Sequence, residues 1–221
     1  MKKFILGVGG TFVLLIVGLA SIILSGPKDT TLAQEHIAHV ATKWEDTPSN
    51  RGLLPTALKE AIVAAAHAQY SKNASDDLDA MQLHTTHVRH AIDPALEAGG
   101  PGLGYGLLKA SEGVVKHITL ASQTGDASEA VKAHTEHVVT AMQTAMERTK
   151  EALAAADAVM AATTVEEARK HVLKMAELTE AAHLGWDVNG DGQITWNENE
   201  GGLKIADQHI DFMLEAEGLS R

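Results

Sequence analysis

His84-Thr85-Thr86-His87-Val88-Arg89-His90 places three histidines at intervals of three within seven residues. A shortened form of the figure occurs twice more, as His36-Ile37-Ala38-His39-Val40 and His134-Thr135-Glu136-His137-Val138. Residues three or four apart on an α-helix are neighbours on one face, so each pair sets two imidazoles within reach of one metal ion. His67 and His117 each stand seventeen residues before the first histidine of the next pair, His84 and His134. A turn-like segment fills each gap, Ser71-Lys72-Asn73-Ala74-Ser75 in one and Gln123-Thr124-Gly125-Asp126 in the other. That is the pattern of a repeated helical hairpin with histidine on both arms.

Composition supports helices. Aromatics are 4% of the 221 residues, so Ala, Leu, Val and Met must fill the core, which favours closely packed helices over sheets. Without cysteine the chain has no disulfide, no thiolate metal site, no thiol catalysis and no covalent c-type haem. A formal charge of −11 argues against a nucleic-acid partner, which needs basic surface, and suits a protein that attracts cations.

The expected architecture is all-α: an antiparallel bundle of histidine-bearing hairpins, preceded by one transmembrane helix and followed by a calcium loop and helix. Met1-Lys2-Lys3 precedes a run from Phe4 to Ser25 without a charge, long enough to cross a bilayer. With the lysines inside, the expectation is a single-pass protein of a bacterial inner membrane whose remainder lies in the periplasm. Cleavage after Ala20 or Ser25 is the alternative. Residues 1–25 are thus the anchor, 26–30 a linker, 31–184 the bundle and 185–221 the calcium loop with its helix.

Within the bundle, Thr31-x-x-Gln34 reads as a capping box opening a helix to about Trp44. Further helices are expected over about Pro55–Lys72, from Ser75 or Asp76 to Asp93-Pro94, and over Leu107–Ser122. Asp126-x-x-Glu129 opens the longest, to about Ala161, and Thr164-x-x-Glu167 opens another to about Leu184. The glycine-rich stretch Glu97–Gly106 reads as a loop, since no strand precedes it to make a nucleotide site.

Asp187-Val188-Asn189-Gly190-Asp191-Gly192-Gln193-Ile194-Thr195-Trp196-Asn197-Glu198 follows the twelve-residue EF-hand pattern. Asp187, Asn189 and Asp191 would supply side-chain oxygens, Gln193 its carbonyl, Thr195 a water-bridged contact and Glu198 two oxygens to Ca²⁺. EF-hand domains generally pair such loops, whereas one is found here and Gly201-Gly202 interrupts its exit helix. Both features favour a structural calcium staple over a sensor.

The remaining candidate ligands are His36, His39, His67, His84, His87, His90, His117, His134 and His137, which suit Cu²⁺, Zn²⁺ or Ni²⁺. Glu35 and Glu136 stand beside two pairs as extra ligands or hydrogen-bond acceptors. Solitary histidines such as His183 and His209 read as ordinary residues. Bis-histidine haem b is a further alternative, whereas the Glu-x-x-His pairs of a di-iron enzyme are not matched.

These His-x-x-His hairpins, rich in alanine and joined by a Glu97-Ala98-Gly99-Gly100 connection, resemble the His-rich small metal-binding proteins of bacterial periplasms over about Leu58 to Leu173. The resemblance implies a four-helix bundle that takes up copper and other divalent ions, with ligands among His67, His84, His87, His90, His117, His134 and His137. The functional expectation is a membrane-anchored, exported metal-binding protein without catalysis, since no nucleophile motif is found. Its rival is an accessory subunit of a larger respiratory or photosynthetic membrane complex, with structural Ca²⁺ and incidental histidines.

Overall fold

The computed structural model describes residues 30–221, among which there are seven α-helices and no strand. They are α1 (Leu32–Ala41), α2 (Leu53–Asn73), α3 (Leu78–Ile92), α4 (Leu107–Gln123), α5 (Glu129–Ala161), α6 (Val165–Leu184) and α7 (Leu203–Glu217). Thr31 opens α1 with the expected capping box: its hydroxyl accepts from the Gln34 amide, and the Gln34 side chain accepts from the Thr31 amide, both at 3.2 Å. Thr164 caps α6 through the Glu167 amide. The longest helix, α5, is capped by Ser128, not by Asp126. Asp126 instead accepts from the Leu32 and Ala33 amides at 2.9 and 3.2 Å, so the α4–α5 turn completes the first turn of α1.

Small side chains set the packing. Ala57, Ala61, Ala64 and Ala68 form a fully buried stripe on α2, which lets α3, α4 and α6 approach closely. In turn α5 lies against α6, α7, α4 and α3, while α1 leans on α4. One apolar core draws residues from all seven helices, and a smaller cluster of Met81, Val159, Ala168 and Val172 closes one end.

Two buried ionisable side chains organise the irregular connections. Glu60 on α2, fully buried, accepts from the amides of Leu103, Tyr105 and Gly106 at 3.1, 2.9 and 3.1 Å. It thereby fixes the glycine-rich loop to the start of α4. Arg148 on α5 donates to the carbonyls of Ala181 (3.0 Å), Glu200 (3.3 Å), Gly201 (2.8 Å) and Asn199. The connection from α6 to α7 is therefore clamped to the middle of α5. Gly201 permits the contact, because a Cβ there would stand 2.6 Å from the Ala141 Cα atom.

The membrane expectation needs correction. Among the described residues no helix is long and apolar enough to cross a membrane, which goes against the expected transmembrane helix and single-pass inner-membrane placement. The longest described helix, α5, is amphipathic: it carries Glu129, Lys132, Glu136, Glu147, Lys150 and Glu151, which a lipid core would not accommodate. The run Phe4–Ser25, on which the anchor was placed, lies outside the described residues.

Candidate metal centres

Three groups of histidines are placed to hold a metal ion, and each follows one plan. A pair three residues apart on one helix faces a single histidine from another. In the first centre His36 and His39 of α1 meet His117 of α4, whose Nδ1 lies 3.1 and 3.3 Å from theirs. In the second, His84 and His87 of α3 meet His67 of α2, with Nδ1 separations of 3.2 and 3.1 Å. In the third, His134 and His137 of α5 meet His209 of α7. There the His134 and His209 Nδ1 atoms are 3.0 Å apart, and the His137 and His209 ring centres 4.6 Å.

These contacts cannot all be hydrogen bonds. A neutral imidazole nitrogen carries either one proton or one lone pair, so the His67 Nδ1 cannot serve two partners at full strength, nor can that of His117. In the third centre the buried His137 Nδ1 has no hydrogen-bond partner among the described residues. A central cation would engage three lone pairs at once. The spacing suits it: nitrogens bound at about 2.0–2.1 Å to one tetrahedral ion lie about 3.3–3.4 Å apart.

The protonation state also suits ligation. Burial first, then the charges of neighbouring histidines, pushes His67, His117 and His209 down to about 4. Burial likewise lowers His39, His87 and His134. The three single histidines are therefore neutral near pH 7, with lone pairs to offer.

Aromatic rings border every centre. Trp44 lies 4.8 Å from the His39 ring and 4.6 Å from that of His117. Tyr70 lies 5.3 Å from His67 and 5.4 Å from His84. Trp196 stacks on His137 at 4.2 Å, and Phe212 lies 5.5 Å from His134. A surface groove lined by Glu35, His39, Lys43, Trp44, Glu45 and Asp46 leads to the first centre. Its three acidic side chains favour the approach of a cation.

Several expected sites are rearranged. His117 joins the α1 pair rather than His134 and His137, because α4 packs against α1 as well as α5. The α5 side of α4 is taken at the neighbouring residue, where the Thr135 hydroxyl donates to the Ile118 carbonyl at 3.3 Å. His90 belongs to no centre: its Nδ1 donates to the Glu97 carbonyl at 2.7 Å, and Gly100 lies against its ring. Its role is to hold the glycine-rich loop. Glu35 and Glu136 are exposed and join none of the three groups.

The residue that spacing missed is His209, which lies far along the chain from its partners. The available signal was aromatic. Trp44, Tyr70, Trp196 and Phe212 are half of the chain's eight aromatic residues, and each borders a centre.

In the Asp187–Glu198 loop the first half takes the compact form expected of the motif. Asp187 oxygens accept from the amides of Gly190 (2.7 Å), Asp191 (3.2 Å) and Gly192 (2.9 Å). Asn189 Oδ1 accepts from the Asp191 amide at 2.9 Å, and Asp191 Oδ1 from the Gln193 amide at 2.8 Å. The second half departs from it. Glu198 and Asn199 have positive φ, and the exit helix starts only at Leu203. Glu198 is exposed and accepts from the Asn189 side-chain amide at 3.2 Å, while the Thr195 hydroxyl turns toward Asn197 and Glu200. Asp187, Asp191 and Glu198 do not converge as the histidines do. Compared with protein-family models, curated proteins and solved structures, the chain matches none.

Proposed function

We propose that the protein is a non-catalytic binder of divalent transition-metal ions, taking one ion at each histidine triad. The observation that carries the reading is the convergence of three imidazoles at three places, with two Nδ1 contacts competing for one atom at the first two centres and a buried, unpartnered His137 Nδ1 at the third. All-imidazole sites without thiolate suit Cu²⁺, Ni²⁺ and Zn²⁺, with copper favoured by intrinsic affinity. The resemblance to small histidine-rich metal-binding proteins implies the same ions.

The test is a metal count. The full chain is stripped with a chelator, equilibrated with Cu²⁺ or Zn²⁺, freed of unbound ion and assayed for metal. Three ions per chain are expected, one per triad. His67→Ala, His117→Ala and His209→Ala should each remove one. Saturation below one ion per chain, or a count indifferent to these substitutions, overturns the reading.

A further inference from the structure

The histidine centres leave one sequence motif unused, the acidic loop between α6 and α7. From the geometry we infer that this loop is a separate site for one hard divalent cation of the calcium class, closed by Glu200 and not by Glu198. Asp187, Asn189 and Asp191 supply its other side-chain oxygens.

The decisive residue is Glu200. It is fully buried, and its Oε2 accepts from the Thr195 amide and hydroxyl, both at 2.9 Å, which directs the carboxylate into the loop. Its Oε1 is buried with no hydrogen-bond partner among the described residues. An ionised carboxylate oxygen left so is costly, and a bound cation would supply the missing interaction. Arg148 does not fill that role, because it reaches the Glu200 backbone carbonyl. What Arg148 does is pin Asn199, Glu200 and Gly201 through their carbonyls, fixing the segment from which the carboxylate projects.

Glu198 is poorly placed for the same work. Its carboxylate is exposed to water and accepts from the Asn189 amide group, so unlike Glu200 it leaves no buried oxygen without a partner. An oxygen-only donor set with three carboxylates selects a hard cation over copper or zinc. Because Asp187, Asp191 and Glu200 do not form a converged group, ion binding must draw the Asp187–Asp191 turn toward Glu200.

The test is calorimetric titration of the chelator-stripped full chain with Ca²⁺ alone. The wild type should bind one Ca²⁺. Glu200→Gln should weaken binding by about tenfold or more, since ligand charge sets calcium affinity. Glu198→Gln should leave it unchanged. Asp191→Asn, on the exposed turn, should also weaken binding and guards against a folding defect in the buried variant. No saturable binding by the wild type, or loss of binding in Glu198→Gln with retention in Glu200→Gln, overturns the assignment. The histidines take no part, so the outcome is independent of the triad count.

Discussion

If the triads hold ions, each ion ties together two helices, and its binding energy becomes stability. For an ion present at a hundred times its dissociation constant the gain is about 2.7 kcal/mol per site. In a chain of this length 1 kcal/mol shifts the melting temperature by about 2–4 °C, so one triad contributes about 5–11 °C. With three separate centres the gains add, to about 16–32 °C. His67→Ala removes the single histidine of the second centre, where both short Nδ1 contacts meet. The melting temperature of the stripped protein should change little, because the ring is only half-buried and its neighbours lose a crowded contact. The zinc-induced rise, measured by differential scanning calorimetry, should fall by about one third. His171→Ala, outside all three triads, is the control and should retain the full rise. A full zinc-induced rise in His67→Ala would refute the account of that centre.

Acid should act on the same groups. His67, His117 and His209 have folded pKa values of about 4, below the ordinary 6.5 of imidazole. The unfolded chain therefore binds more protons between about pH 6.5 and 4. Stability of the stripped protein should be fully present above pH 6.5, fall as pH drops through that window and level off near 4. Urea midpoints at pH 7 and pH 4.5 check the sign, and an equal or higher midpoint at 4.5 contradicts it. His90→Ala should leave the metal count unaltered while loosening the Glu97–Gly106 loop, seen as faster amide exchange there; a lost ion would restore His90 as a ligand. Arg148→Met should cost about 3 kcal/mol in chemical denaturation, because it strands carbonyls that a buried cationic donor satisfies. A cost under about 1 kcal/mol would show that the clamp matters little.

Helical content was legible because local signals agreed. Thr31 and Thr164 mark their helix starts as capping rules require, and apolar periodicity carries α5 to Ala161. The paired histidines were legible too, since a spacing of three fixes a shared face whatever the tertiary fold. Beyond that, spacing had mixed success. His67 meets His84 and His87 because α2 and α3 form a true hairpin around the centre. The same seventeen-residue interval fails for His117, whose helix offers that face to α1. Only tertiary packing decides which neighbour a helix shows a given face, as it also turned Asp126 from its own helix to the start of α1. His209 has no second histidine three residues away, only Phe212, so its place beside His134 emerges only once α7 lies on α5. In the acidic loop the Asp187-x-Asn189-x-Asp191 turn was readable, but the late start of α7 and the burial of Glu200 were not.

The rings beside the centres make this chain its own optical reporter. Trp44 touches two histidines of the first triad and Trp196 stacks on one of the third, whereas the second has only Tyr70. Copper arriving at the first or third triad would quench indole emission, and copper at the second would dim tyrosine instead. Trp186, exposed and outside the ring pairs that border the triads, supplies a steady background. Emission read at tyrosine and at indole wavelengths would then separate filling of the middle centre from the other two, with no label attached.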